Sequence, residues 1–488
     1  MQRVLMILEV SQKQNYIFAS KVLKENIQRA ADIARVTSSE YFAQVCPRDY
    51  DEGTHLVYSG GGHTVLQFPT GEEATAFARR LTRQVIQEYP GLELFVKQLP
   101  YDEKKTPGQN LNELSRKLEI KKSRRDNAFR TLALGIEQSG GAPKTGEGKP
   151  NFRLPDGWRE ASKMDDVDKD DNFLAVVHID GNAMGTRVQA IYDKCKDNWP
   201  ECNRLLNLFS REIDQHYEEA FDEMAQEMAA ALERTKPIQN MRNKHWTPTF
   251  PLRKIIGAGD DVCFLTTGRQ GLECAASFLR HLSTKMNHAD GKYYTACAGV
   301  VLVHKKYPFR EAYDLSEELC RSAKNFCAEY KVEANALDFH IEYGQLKDSL
   351  AEIRDDYVTD DGARLELRPL CVKGGEGVIP AERTYAFHKK QLRNLLEMLK
   401  TAEEGNRGNK GAKISLARSK VKSLRPYLHQ GETETEYALK KTSSYDLLRL
   451  NPDKGGAFFT DEQNVRRCLY FDTIELLDVT TLWQEVSE

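Results

Sequence analysis

Residues 254–268 read "KIIGAGDDVCFLTTG". Two apolar runs flank a Gly-Ala-Gly turn, and the turn ends in adjacent carboxylates, Asp260 and Asp261. Apolar runs on either side of a glycine-rich turn predict a β-hairpin. Neighbouring carboxylates repel one another, so such a turn either leaves both to solvent or sets them where a cation balances them. The elements around the hairpin decide between these.

Upstream lie an apolar strand, "FLAVVHID" (173–180), and a long periodic helix, "CNRLLNLFSREIDQHYEEAFDEMAQEMAAALERT" (202–235). Downstream come a helix near 270–286, the strand "YYTACAGVVLVH" (293–304), the helix "REAYDLSEELCRSAKNFCAEY" (310–330) and a closing strand, "ALDFHIEYG" (336–344). The β-α-β-β-α-β order is that of a ferredoxin-like unit. The same order runs through the first 105 residues: "RVLMILEV" (3–10), a helical stretch to about residue 45, the hairpin "HLVYSGGGHTVLQFP" (55–69), the helix "GEEATAFARRLTRQVIQEY" (71–89) and "LELFVKQL" (92–99). The chain is therefore predicted to be α/β (α+β), with two divergent copies of one unit at 1–105 and 171–345.

Residues 106–170 predict a connector, with a basic helical piece (115–134) and a Gly/Pro-rich loop (139–157). That loop is no phosphate-binding loop: no glycine stands at the required offset before Gly148-Lys149, and Pro150 occupies the Ser/Thr place. Beyond residue 346 strand signals fade. Periodic segments at 383–402 and 412–428 predict a helical C-terminal domain, 346–488.

Bulk properties exclude several classes. The 488 residues carry a net charge of −3, so a uniformly basic nucleic-acid binder is not expected. The basic clusters Lys121, Lys122, Arg124, Arg125 and Arg407, Lys410, Lys413 are expected to be solvated faces. "MQRVLMILEVSQKQ" turns polar too quickly for a signal peptide, and no apolar run reaches membrane-spanning length. Ten cysteines occur without a CxxC pair, as expected for reduced thiols in the cytoplasm.

In a ferredoxin-like unit the third strand lies between the first and second, antiparallel to both. The end of the first strand, at Asp180, is then brought beside the start of the third, at Asp260 and Asp261. Three carboxylates at one sheet edge call for Mg²⁺ or Mn²⁺, hard ions that take oxygen ligands. Two such ions suit in-line phosphoryl transfer. Gly259 permits the tight turn, "DGNAMG" (180–185) offers backbone amides to phosphates, and Lys324 is a candidate triphosphate partner.

"PLRKIIGAGDDVCFL" resembles the "GGDD" hairpin in the second palm of the large, polymerase-like subunit of type III CRISPR effector complexes. "HIDGNAMG" is similar to that family's first metal motif, "SEELCRSAK" to the helix carrying its phosphate-contacting lysine, and "NALDFHI" to the strand that follows. "EVSQKQNYIFASKVLKENIQRAADIA" looks like the opening of the first palm.

The resemblance implies two palms with a nucleotide site between them, where ATP is joined into cyclic oligoadenylate messengers for antiviral defence. Carried over, Asp180, Asp260 and Asp261 are the metal ligands, with the Gly181 carbonyl as a further one. Asn182, Gly185, Gly259 and Lys324 surround the nucleotide, as do Gly61, Gly62 and His63 of the first palm. Guide RNA and other effector subunits, or a second copy of the chain, are the implied partners.

Ala258 departs from the family's first hairpin glycine, and Asn182 stands where a second aspartate is common. The first hairpin, Gly60 to His63, lacks carboxylates, so Glu9 opens a unit expected to bind rather than catalyse. No His is followed by Asp, so the family's DNase domain is expected to be absent, as is its zinc element. A non-catalytic palm scaffold that binds nucleotide or RNA stays open as the alternative. A templated polymerase is disfavoured, since no fingers-sized basic domain is evident.

Overall fold

The computed structural model describes residues 3–20, 22–124, 152–161, 164–167, 172–235, 247–344, 349–408, 418–441, 456–461 and 463–483. In the first unit, β1 (Val4–Ser11), β2 (Leu56–Gly60), β3 (His63–Phe68) and β4 (Glu93–Pro100) form an antiparallel sheet in the order β2-β3-β1-β4. Its two main helices are Leu23–Val36 and Gly71–Glu88. The second starts at a reciprocal cap. Thr70 accepts from the Glu73 amide, and its hydroxyl donates to the Glu73 carboxylate.

The second unit repeats the order with β5 (Phe173–Gly181), β6 (Leu252–Ala258) and β7 (Asp261–Thr267), a short ribbon of β8 (Met286–Asn287) and β9 (Lys292–Tyr293), and then β10 (Ala296–His304). The sheet continues through β11 (Asn335–Ile341) and β12 (Leu370–Lys373) to the order β12-β11-β10-β5-β7-β6. β11 lies parallel to β10, across a crossover made by the helix Phe309–Glu329. Both units thus have the predicted ferredoxin-like arrangement, and the second is extended at one edge.

The C-terminal segment, predicted as a helical domain, also contributes a strand to that edge and a short ribbon. β12 comes from beyond residue 346 and pairs antiparallel with β11, and β13 (Phe458–Thr460) pairs with β14 (Arg466–Cys468). Strands of three or four residues are too short to display a period of two. Helices Tyr385–Gly408, Arg425–Gln430 and Glu432–Lys441 make up much of the remainder.

Alternation along β5 explains how the units join. Ala175, Val177 and Ile179 pack in a core with Phe221 and Met224 of the helix Trp199–Thr235, together with Val57 and Phe95 of the first unit. Val176 faces the other way, into a core shared with Met6, Leu8 and Ile33. Burying each such large aliphatic contributes roughly 1.5–3 kcal/mol, so two shared cores hold the units in fixed register.

All ten cysteines are buried and unbridged. Among the described residues no helix is long and apolar enough to cross a membrane. Of the basic cluster near residue 121, Lys122 is not a solvated face: it bonds Glu9 at 2.9 Å and Glu119 at 2.8 Å. Lys121 donates to the Val96 carbonyl. Arg125, Lys410 and Lys413 lie outside the described residues.

Candidate functional site

Strand register sets the site. β5 and β7 run antiparallel with Asp180 opposite Asp261, and the Gly181 amide donates to the Asp260 carbonyl at 3.3 Å. The three aspartates singled out in the sequence therefore meet at one sheet edge. Gly259 makes the turn with φ of 65°, a conformation that suits glycine.

Lys324 reaches the same edge because its helix lies close over β10. A Cβ at Gly299 would fall 1.9 Å from the Ser316 carbonyl oxygen, so only glycine admits that helix. Lys324 Nζ donates to the Asp180 carboxylate and, at 2.8 Å, to the Gly181 carbonyl. Burial works against the Lys324 charge, but the Asp180 carboxylate outweighs it and raises the pKa.

Asp180 and Asp261 each keep 39% of their side-chain surface exposed, yet cleft walls crowd them on several sides. Burial, then the nearby Asp180 charge, push both Asp260 and Asp261 up to about 7. Asp261 Oδ1 is enclosed without a hydrogen-bond partner, and His178 Nδ1 stands 3.6 Å from it. Lys324, engaged by Asp180, offsets these effects only in part.

Oxygen donors, an orphaned carboxylate oxygen and raised pKa values fit a hard divalent cation. Among the described residues, however, no three His, Cys, Asp or Glu side chains are gathered as a ligand set. Asp180 is turned onto Lys324, which supplies the positive charge there.

Other residues differ from expectation. The Gly181 and Asn182 amides do not form a phosphate cradle, because they bond the carbonyls of Asp260 and Thr295. Asn182 Nδ2 is tied to the Ala334 carbonyl at 3.0 Å. Gly185 sits at the start of the helix Met184–Cys195, and a Cβ there would meet open space. His63 lies edge-on to Tyr58, and burial followed by the Lys13 charge lowers its pKa to about 4.

The two hairpins meet. A Cβ on Gly259 would lie 3.2 Å from the Gly61 amide nitrogen, so the "GGGH" turn of the first unit abuts the "GAGDD" turn of the second. Beside this contact opens a cavity of about 860 Å³, with Glu9, Lys13, Gly61, Lys254, Asp261 and Glu317 among its walls.

Three neighbours of the aspartates escaped the sequence reading. Tyr217, whose buried hydroxyl has no partner, lies where its oxygen would be 2.8 Å from a Cβ on Gly181. Asp214, three residues earlier on the same helix, accepts from the Gly259 amide. His178 is the third. A polar hydroxyl on the buried face of the long helix was the available signal for Tyr217.

Comparison with known proteins finds one family resemblance, confined to this unit. Residues 173–329 match the model of the Cas10/Cmr2 second palm domain. This segment is similar to that palm domain. Among solved structures, a Csm1–Csm4 cassette in complex with cA4 superposes with a TM-score of 0.59 at 13% identity, over 98% of this chain and 69% of that one. The cassette in complex with pppApA gives a TM-score of 0.46 at 15% identity, over 67% of this chain and 53% of that one. The chain thus spans about half the length of that relative. No curated protein sequence matches. The likeness in fold extends over nearly the whole chain, and the Asp180–Asp261 pair lies inside the segment matched by the palm model.

Proposed function

We propose that the chain is a divalent-metal-dependent nucleotidyltransferase that joins ATP into cyclic oligoadenylates in the cleft between its two palms. The observation that carries this reading is the register of Asp180 opposite Asp261, with Asp260 beside them, in a segment similar to the Cas10/Cmr2 second palm, where Asp261 lines the cleft. Two Mg²⁺ or Mn²⁺ ions held by Asp180, Asp260, Asp261 and the Gly181 carbonyl would supply charge to lower the pKa of a ribose hydroxyl and to balance the departing pyrophosphate.

The remaining work falls to the chain. Lys324 holds Asp180 in place and carries the cation nearest the phosphates. Gly259 and Gly61 bring the two hairpins close enough for nucleotides from both sides to meet, and the cleft is of a size that suits small ligands. Gly62, His63, Asn182 and Gly185 border the nucleotide in this reading, with His63 neutral at physiological pH. Other effector subunits with a guide RNA, or a second copy of the chain, are the partners it entails, in the cytoplasm.

One observation favours a second reading, a palm scaffold that binds nucleotide without turning it over: Lys324 already neutralises Asp180. Incubation of the purified protein with each nucleoside triphosphate and Mg²⁺ or Mn²⁺, with products read by mass spectrometry, separates the two. Cyclic oligoadenylate from ATP supports the transferase. Binding of ATP with no new product supports the scaffold.

A further inference from the structure

The hairpin of the first palm carries no carboxylate, yet a lysine beside it reaches toward the aspartates of the second. At the end of β1 the backbone of Gln12 is left-handed, with φ of 51°, and it turns the chain so that Lys13 opens the short helix Lys13–Ile17. This segment is fastened to the helix that carries Lys324. The Phe18 ring lies 4.5 Å from Tyr313 and 5.5 Å from Phe309, Gln14 donates to Glu317 at 2.5 Å, and Arg310 donates to Asn15 at 3.1 Å. Lys13 is therefore positioned against the second palm as well as the first.

Its ammonium donates to the Gly61 carbonyl and lines the cleft with Asp261. The hairpin is shaped around it: a Cβ at Gly62 would come within 3.0 Å of Lys13 Cε and 3.2 Å of Nζ. Among the described residues no carboxylate lies within ion-pair distance of Lys13, so its charge is satisfied by one neutral acceptor. The charges of Glu9, Asp261 and Asp260 attract it from farther off and Lys122 repels it, while burial, the largest influence, lowers its pKa. A partly desolvated ammonium with so little compensation costs stability. Lys324, in contrast, is engaged by Asp180.

We infer that Lys13 is a phosphate-binding residue supplied by the first palm, its ammonium donating to the phosphate chain of a nucleotide held at Asp260 and Asp261. The inference rests on the reading of this cleft as a nucleotide site. It gives the first palm a direct part in that site.

The test uses the full chain and the variants Lys13→Gln and Lys13→Arg. Glutamine keeps a donor for the Gly61 carbonyl without the charge, and arginine keeps the charge. Binding of AMPPNP with Mg²⁺ and of adenosine is measured by calorimetry, and each melting temperature is taken in EDTA. Loss of one charge-assisted hydrogen bond predicts that Lys13→Gln weakens AMPPNP binding by about ten- to a hundredfold. Adenosine binding should stay at the parental value, the melting temperature should equal or exceed it because a desolvated charge is removed, and Lys13→Arg should retain most of the AMPPNP affinity. Three results overturn the inference: unchanged AMPPNP affinity in Lys13→Gln, equal loss of adenosine and AMPPNP, or a parent protein that binds no AMPPNP. A parent that binds AMPPNP through Lys13 but makes no product instead overturns the transferase reading and leaves this one standing.

Discussion

Lys324 Nζ is hydrogen-bonded to the Asp180 carboxylate and, at 2.8 Å, to the Gly181 carbonyl. These are two of the oxygens assigned to the metal in the proposed mechanism, so lysine and metal compete for them. Lys324→Met should leave Asp180 without a counter-charge and lower the melting temperature in EDTA. The added stabilisation by Mn²⁺ should then exceed that of the parent, because no ammonium has to be displaced. Thermal melts of both proteins with EDTA and with Mn²⁺ check this. Equal Mn²⁺ shifts would show that Lys324 and the metal do not share Asp180.

Acidity of the hairpin gives a pH prediction. Asp260 and Asp261 are pushed up to about 7, above the ordinary value of 3.8. The folded state therefore holds more protons than the unfolded state between about pH 4 and pH 7, and stability from these groups falls as pH rises through that window. In EDTA the parent should lose melting temperature from pH 5 to pH 8, and Asp260→Asn should lose less. Metal, which competes with those protons, should bind more tightly at pH 8 than at pH 6. Parallel pH profiles for parent and variant would remove the basis for this claim.

Close packing at Gly299 predicts a third outcome. A Cβ placed 1.9 Å from the Ser316 carbonyl has to push the helix Phe309–Glu329 off β10. Overpacking of this kind costs about 1–3 kcal/mol, and here it also withdraws Lys324 from Asp180. Gly299→Ala should melt several degrees lower, by the usual relation for large domains, and bind ATP more weakly. Parental stability together with parental ATP affinity would mean that the helix yields there without consequence.

Particular residues show why the sequence disclosed some of this site and withheld the rest. Asp180, Asp260 and Asp261 were legible because the strand order of a ferredoxin-like unit fixes which strand ends adjoin, whatever the side chains. Lys324 was a candidate on the strength of its helix and gained support from the resemblance of that helix, since nothing local distinguishes it from a surface lysine. Lys13 and Tyr217 were not legible, because their nearness to the aspartates depends on how the two units dock and how the long helix packs, both set by cores that draw on distant segments. His178 stands two residues before Asp180 on β5, where strand alternation alone could have placed it. Two amides of "DGNAMG", those of Gly181 and Asn182, were misread for a related reason: the Asp260 and Thr295 carbonyls, remote in sequence, already accept from them. β12 was missed because four residues carry no readable period.

The most direct test of the central claim is product formation by Asp261→Ala beside the parent, in ATP with Mn²⁺, read by mass spectrometry on protein first shown to be folded. Removing one of two crowded carboxylates relieves repulsion, so the variant's melting temperature in EDTA should equal or exceed the parental value. If Asp261 holds the reacting charge, the parent should yield cyclic oligoadenylate and the variant's rate should fall by roughly two orders of magnitude or more. A folded Asp261→Ala that makes product at the parental rate, or a parent that makes none, would contradict the account.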